Sequence, residues 1–329
     1  MSAPKPVEIK INYKTAVNSV YIQQNPSVLM RVFIMYPRPF DYFSPKNLAE
    51  ALELLQNPDG ETKVLAGGQS LLPAMKLRVL APKILVDIGN IKELSFIRKE
   101  QNTLKIGATT IMTTLENDPE VASLLPILKE TASEIADPLV RNLGTVGGDL
   151  CHGDPKNDLP AAMIALNASF AIASKQGTRT VGSDAFFLGK FKTALEPNEI
   201  LTEIQIPLEE GKVGSAYRKV RKGSGGFTVA GVAAYVSAAD DNTVFECRLA
   251  MTAVGSKPLR APEAEKFLVG KTPKASVLDN VAKLAVDGSK PVADVTASEE
   301  YRRRVLGILV KDALELAYKR AVMGDYEKS

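Results

Sequence analysis

The 329-residue chain contains no tryptophan, one histidine (His152) and two cysteines, Cys151 and Cys247. Two cysteines build no disulfide framework. They are also too few for a four-cysteine zinc site or a cysteine-ligated iron–sulfur cluster. One imidazole excludes a multi-histidine metal centre and any mechanism that needs two imidazoles. No apolar run reaches the ~18 residues that span a bilayer. The N-terminus lacks the basic start and apolar core of a signal peptide. Lys and Arg number 41 against 38 Asp and Glu, a net charge of +3. That is too small to argue for a nucleic-acid partner. The expectation is a soluble, cytoplasmic protein with no nucleic-acid or membrane partner.

What is present is core-forming material. The chain is 45% hydrophobic and 24% charged, enough for two or three domains of about 100–200 residues each. Residues 1–34 mix Lys, Asn and Gln with Val, Ile and Tyr and show no packed element. They read as an N-terminal extension, with Met35 the expected native start. Ser44-Pro45 predicts a helix start, and Leu48, Ala49, Leu52 and Leu55 follow at helical spacing. A turn at 57–60 ends it. A strand at 63–66 runs into a glycine pair, then a short helix over 71–78 and a strand over 83–88.

A second unit carries a hairpin at 94–98 and 103–106 and helices over 110–117 and 127–136. A second glycine-rich turn at 141–149 precedes a helix over 158–166 and strands at 169–173, 178–181 and 200–206. Glu209-Glu210-Gly211 marks a domain boundary. Beyond it, strands at 215–220, 229–238 and 244–254 precede helices near 262–268, 274–287 and 299–321. The expected division is 35–210, with parts 35–90 and 91–210, then 211–329.

Two glycine loops carry the chemistry: Ala66-Gly67-Gly68-Gln69-Ser70 and Gly144-Thr145-Val146-Gly147-Gly148-Asp149. Glycine lets a backbone approach a bulky anion, and successive N–H groups in such a turn form an anion nest. One such loop is most simply a plain turn. Two suit the two phosphates of a diphosphate, and Ser70 and Thr145 can each add a hydroxyl. No phosphate-loop signature fits. No G-x-G-x-x-G follows a strand with an acidic residue ~20 positions on, which disfavours a Rossmann site.

The segment Cys151-His152-Gly153-Asp154-Pro155-Lys156-Asn157-Asp158 permits three readings: a turn with a helix cap, a cofactor-lining turn, or a metal triad of His152, Asp154 and Asp158. The first is favoured over the metal. Tyr217 to Gly226 is a basic strand entering a glycine loop. It is either a solvated hairpin or a set of cations beside an electron-rich ring. Arg302-Arg303-Arg304 reads as a surface or subunit contact at a helix start.

Together these residues resemble the FAD-binding subunit, or central domain, of the molybdenum hydroxylases: carbon monoxide dehydrogenase, xanthine dehydrogenase and aldehyde oxidoreductases. The family shows A-G-G-x-S and later T-[IV]-G-G-[ND], here Ala66 to Ser70 and Thr145 to Asp149. Its Met-Tyr-Pro opening with a Ser/Thr-Pro helix start appears at Met35 to Pro45. Its D-P-x-x-D appears at Asp154 to Asp158, and its Glu-Ile-[LI] at Glu199 to Leu201. The resemblance covers about residues 35–320, and the layout is nearest to the medium subunits of archaeal glyceraldehyde-type aldehyde oxidoreductases.

The resemblance implies an α+β fold: a two-subdomain FAD-binding domain (PCMH type), then a C-terminal domain with an antiparallel sheet and helices. It implies that Leu65, Ala66, Gly67, Gly68, Gln69, Ser70 and Leu71 wrap the FAD diphosphate from one side. Gly144, Thr145, Gly148 and Asp149 close it from the other. Ile135 and Ala136 fall near the adenosine side, and Ile200 and Leu201 pack on adenine. Cys151, His152, Asn157 and Asp158 contact the cofactor, Asp158 accepting from a ribose or ribityl hydroxyl. Tyr217 with Arg218 or Lys219 falls near the flavin. A large molybdenum-cofactor subunit and a small [2Fe–2S] subunit are implied as partners, in a hetero-oligomer such as a dimer of heterotrimers.

Two departures stand out. Gly226 occupies a position where several relatives are acidic, which bears on the flavin surroundings and the acceptor. Asp149 stands where many relatives carry Asn, so its charge near a diphosphate needs compensation. They leave room for a second reading, a nucleotide-binding scaffold without redox turnover. A self-contained flavoprotein oxidase is weaker, because no acid–base pair stands outside the loops.

Overall fold

The structure, a computed structural model, describes residues 36–56, 61–223 and 225–323. The expected extension over 1–34, the start at Met35 and the turn at 57–60 lie outside these residues. The chain opens with β1 (Asp41–Phe43), α1 (Leu48–Leu54), β2 (Thr62–Leu65), α2 (Leu71–Lys76) and β3 (Ile84–Asp87). The three strands are parallel, with β3 in the middle. Asn47, rather than Ser44, caps α1, because its side chain accepts the Glu50 N–H. The Glu50 carboxylate bonds back to the Lys46 N–H, in the manner of a capping box.

The second unit holds β4 (Ile97–Glu100), β5 (Thr103–Gly107), α3 (Met112–Asn117), α4 (Pro119–Leu124), α5 (Pro126–Glu134) and α6 (Pro138–Arg141). It continues with α7 (Val146–His152), α8 (Leu159–Ala165), β6 (Ser169–Ser174), β7 (Gly177–Gly182), α9 (Ser183–Phe186), β8 (Phe187–Gly189), β9 (Lys192–Thr193) and β10 (Ile200–Pro207). Five strands form an antiparallel sheet in the order β4-β5-β10-β6-β7. The expected turn at 141–149 ends inside α7. Glycine is a poor helix former, but the Thr145 cap and the burial of Val146 and Leu150 override Gly147-Gly148 here.

The third unit holds β11 (Lys212–Arg221), β12 (Thr228–Ala238), β13 (Val244–Thr252), β14 (Leu259–Arg260), α10 (Pro262–Leu268), α11 (Ala275–Gly288) and α12 (Glu299–Met323). Its four strands are antiparallel in sequence order. The period-2 alternation of a strand sends successive side chains to opposite faces, and here both faces are buried. Ala230, Val232, Ala234 and Val236 of β12 share a core with Leu306, Leu309 and Leu314 of α12. Ala233, Tyr235 and Tyr217 instead join the core of the second unit, with Leu159, Phe170 and Ile204. The sheet is therefore a wall between the helices and the second unit. Among the described residues no helix is long and apolar enough to cross a membrane.

Candidate cofactor-binding site

The two glycine loops meet. A Cβ placed on Gly67 would overlap the Leu143 carbonyl and lie 2.8 Å from the Gly144 Cα. Only glycine permits that backbone-on-backbone approach. Gly68 has φ +72°, the left-handed region that glycine enters without strain. Leu65 ends β2 and Leu71 opens α2, so residues 65–71 form one strand–loop–helix connection. Among the described residues, no group of the chain accepts the backbone N–H groups of Gly67, Gly68, Gln69 or Ser70. Successive free amides around a left-handed glycine make an anion nest.

The second loop is different. Its amides are used internally: Gly144 N–H on the Val140 carbonyl, Val146 on Thr110 and Gly147 on Ala108. Gly148 N–H donates to the Thr145 hydroxyl oxygen at 3.1 Å, and Asp149 N–H to the Thr145 carbonyl. The expectation of two equal nests is corrected: one loop offers amides, and the other supplies a packed wall and the Thr145 hydroxyl proton. Gly147 is needed for contact with Ala108, which a Cβ would meet at 2.7 Å.

Behind the second loop lies a buried polar cluster that spans the second and third units. Asp158, 4% exposed, accepts from the Tyr217 hydroxyl (2.5 Å) and the Thr228 hydroxyl (2.7 Å) on Oδ1, and from Lys219 Nζ (2.6 Å) on Oδ2. Lys219 also donates to the Glu134 carbonyl at 2.8 Å. Gly231 makes room for the Tyr217 ring, since a Cβ there would overlap the hydroxyl. Burial, then the charge and hydrogen bond of Asp158, push the Tyr217 phenol well above its usual range. Asp158 is thus engaged by the chain's own donors, where a cofactor hydroxyl was expected.

Asp149 lies beside this cluster on α7. Its Oδ2 is enclosed without a hydrogen-bond partner. Burial raises its pKa well above the ordinary carboxylate value, with Asp158 and Asp154 adding to the rise and Lys219 opposing it.

The other expected residues divide. Asn157 donates from Nδ2 to the Asp149 carbonyl at 2.9 Å. Ala136 takes φ +45° after Ile135, and a Cβ at Gly225 would lie 3.8 Å from the Ala136 carbonyl carbon. The basic strand's glycine loop therefore reaches the 135–137 corner. His152 is half-buried with its ring centroid 5.1 Å from that of Phe191. Burial lowers its pKa, against an opposing pull from Asp154. The Cys151 thiol is pushed up to about 12 by burial and by Asp149, so it stays protonated and unreactive.

Three expected residues point elsewhere. Ile200 is sealed in the core with Leu52, Val86 and Ile91, and Leu201 in the core of the second unit. Arg218 lies on the opposite face from Lys219, 3.1 Å from Asp312 and 3.6 Å from Glu130. Arg302, read as a surface contact, is 1% exposed. Its guanidinium bonds the Thr228, Val229 and Ala253 carbonyls and both oxygens of Asp294. Asp294 in turn takes Lys156 Nζ at 2.5 Å, which ties α12 to the Asp154–Asp158 turn. Sequence reasoning missed Thr228, Gly231, Glu130 and Asp294, which belong to no local motif.

A family profile described as "FAD binding domain in molybdopterin dehydrogenase" matches residues 38–209, and one described as "CO dehydrogenase flavoprotein C-terminal domain" matches residues 215–317. The chain is 42% identical over 286 residues to the carbon monoxide dehydrogenase medium chain of Hydrogenophaga pseudoflava, covering 87% of this chain and 99% of that one. It is 35% identical over 281 residues to the glyceraldehyde dehydrogenase medium chain of Sulfolobus acidocaldarius, covering 85% and 99%. A solved carbon monoxide dehydrogenase from Hydrogenophaga pseudoflava, in a form lacking the Mo-pyranopterin moiety, matches with a TM-score of 0.84 over 87% of this chain and 99% of that one. Quinoline 2-oxidoreductase from Pseudomonas putida 86 matches with a TM-score of 0.82 at 32% identity, over 87% and 99%. The chain belongs to the FAD-binding medium subunits of the molybdenum hydroxylases, a family of oxidoreductases.

Proposed function

We propose that this chain is the flavin station of a molybdenum hydroxylase whose other cofactors sit on two partner subunits. A large partner holds the molybdenum cofactor and oxidises an aldehyde or carbon monoxide. A small partner passes electrons from [2Fe–2S] clusters to this chain, which delivers them to an acceptor. Bound FAD supplies the step between one-electron and two-electron transfer. The run of free amides at Gly67–Ser70, set where the two loops meet, carries this reading.

In this reading those amides and the Thr145 hydroxyl hold the diphosphate. Ile135 and Ala136 line the adenosine side, and Ile200 and Leu201 support it from within the cores. His152 and Asn157 line the flavin side. Lys219 and Tyr217 close the site from the third unit, across a boundary near residue 210. Two cysteines support placing the clusters on another chain. The relatives' being called medium chains supports a hetero-oligomer, which in this reading is cytoplasmic and could be a dimer of heterotrimers.

Reduction of the assembled complex tests the route. With oxygen excluded, substrate should bleach both cluster and flavin absorbance. In the Gly68→Val complex it should bleach the clusters alone, because a β-branched residue at positive φ disrupts the nest. Clusters that reduce while a bound wild-type flavin stays oxidised would contradict the proposed route.

A further inference from the structure

The chain turns a corner between α5 and α6, where Ala136 sits at φ +45°. Positive φ strains a residue that is not glycine, and its surroundings must hold it there. Three cations act on the corner through two carbonyls. Lys219 Nζ (2.8 Å) and Arg221 Nη1 (3.3 Å) donate to the Glu134 carbonyl. Arg141 Nη1 donates to the Ile135 carbonyl at 3.0 Å. Arg141 ends α6, and its side chain is 13% exposed. Its Nε is 2.8 Å from the carboxylate of Glu116 on α3, which fixes the guanidinium from a second side. Asp137 caps the start of the same helix by accepting the Val140 N–H at 3.0 Å. The Val140 carbonyl takes the Gly144 N–H, and the Gly144 carbonyl takes the Met112 N–H. Arg141 thus joins the 135–137 corner, α3 and the second glycine loop in one frame.

The bond to Ile135 also sets a direction. A trans peptide is planar, so its C=O and N–H point opposite ways. Pinning the Ile135 carbonyl on Arg141 turns the Ala136 N–H away from the guanidinium. Among the described residues, no group of the chain accepts the N–H of Ala136 or of Asp137. We propose that Arg141 is a positioning residue of the cofactor site: by holding the Ile135 carbonyl it aims the free Ala136 amide at a hydrogen-bond acceptor of bound FAD. The inference rests on the proposed FAD site, where Ile135 and Ala136 line the adenosine side. Arg141 itself touches no cofactor. Its planar fork serves the Glu116 carboxylate and the Ile135 carbonyl at once, whereas the single ammonium of a lysine lacks that fork.

The test is FAD titration of the full-length chain by quenching of flavin fluorescence, for wild type, Arg141→Lys and Glu116→Gln, with the thermal midpoint of each. Arg141→Lys should keep a midpoint near that of wild type and bind FAD about tenfold more weakly, the worth of one well-aimed hydrogen bond. Glu116→Gln should bind within about twofold of wild type, because its amide oxygen still accepts from Arg141. Equal weakening in the two variants, or none in Arg141→Lys, would overturn the proposal while leaving the FAD site intact. Hydrogen exchange of the wild type, read on peptides that cover 134–137, needs no variant. FAD should slow exchange at Ala136, and Arg141→Lys saturated with FAD should lose that protection. A corner that exchanges equally fast with and without bound FAD overturns the proposal even where the variants weaken binding. A wild-type chain that takes no FAD defeats both the proposed site and this inference.

Discussion

At the residue scale, the site is governed by which polar groups are paired. The side chains of Lys219 and Asp158 are 2% and 5% exposed, and 2.6 Å apart. Removing one partner of such a pair strands the other, at a cost of about 3–5 kcal/mol. Lys219→Met should therefore lower the thermal midpoint sharply, and adding Asp158→Asn should recover part of the loss. A Lys219→Met chain as stable as wild type would show the pair to be solvated. Asp149 works in the opposite sense. Its folded pKa is raised, so folding retains a proton that the unfolded chain releases above about pH 3.9. The stability it contributes is full below that pH and is lost as pH rises toward the folded value. The midpoint of Asp149→Asn minus that of wild type should thus grow from pH 5 to pH 8. A flat difference would contradict a raised pKa for Asp149. None of this was legible in the sequence. The T-V-G-G-D motif located Asp149, but the rise in its pKa comes from burial and from Asp158, with Lys219 opposing, and these groups arrive from other elements.

At the element scale, the sequence patterns served where periodicity decides and failed where a cap or a partner does. The apolar stripe of Val305, Leu306, Leu309, Ala313 and Ala317 predicted α12, and this helix packs on β11 and β12. Helix α7 was read as a turn, because two adjacent glycines hid a helix that the Thr145 cap and the buried Val146 and Leu150 sustain. Arg302 sat in a run of three arginines that looked solvent-facing, yet its position on the stripe side takes it into the interior. Contact between α12 and β11 depends on Gly214, where a Cβ would overlap the Ala317 carbonyl. Gly214→Ala should cost about 1–3 kcal/mol through overpacking. Gly189→Ala, at a position with open space around it, should leave the midpoint unchanged. Equal midpoints for the two variants would show that α12 shifts without cost.

At the scale of the whole molecule, the two glycine loops belong to the first two units and the side chains that converge on Asp158 to the third. Tyr217, Lys219 and Thr228 converge on Asp158. Glu130 of α5 accepts the Tyr217 N–H and the Arg320 guanidinium. Cofactor binding should for that reason depend on the C-terminal sheet as much as on the glycine motifs. The two loops were visible in the sequence because glycine pairs are local, whereas the partners of Asp158 were found only through the family likeness or through the structure.

The most direct measurement is the cofactor content of the purified chain: its visible spectrum, then heat release and chromatography of whatever is bound. A yellow protein that releases FAD at about one per chain is the predicted result. A colourless chain that refuses added FAD, both alone and co-expressed with its partner subunits, would contradict the account.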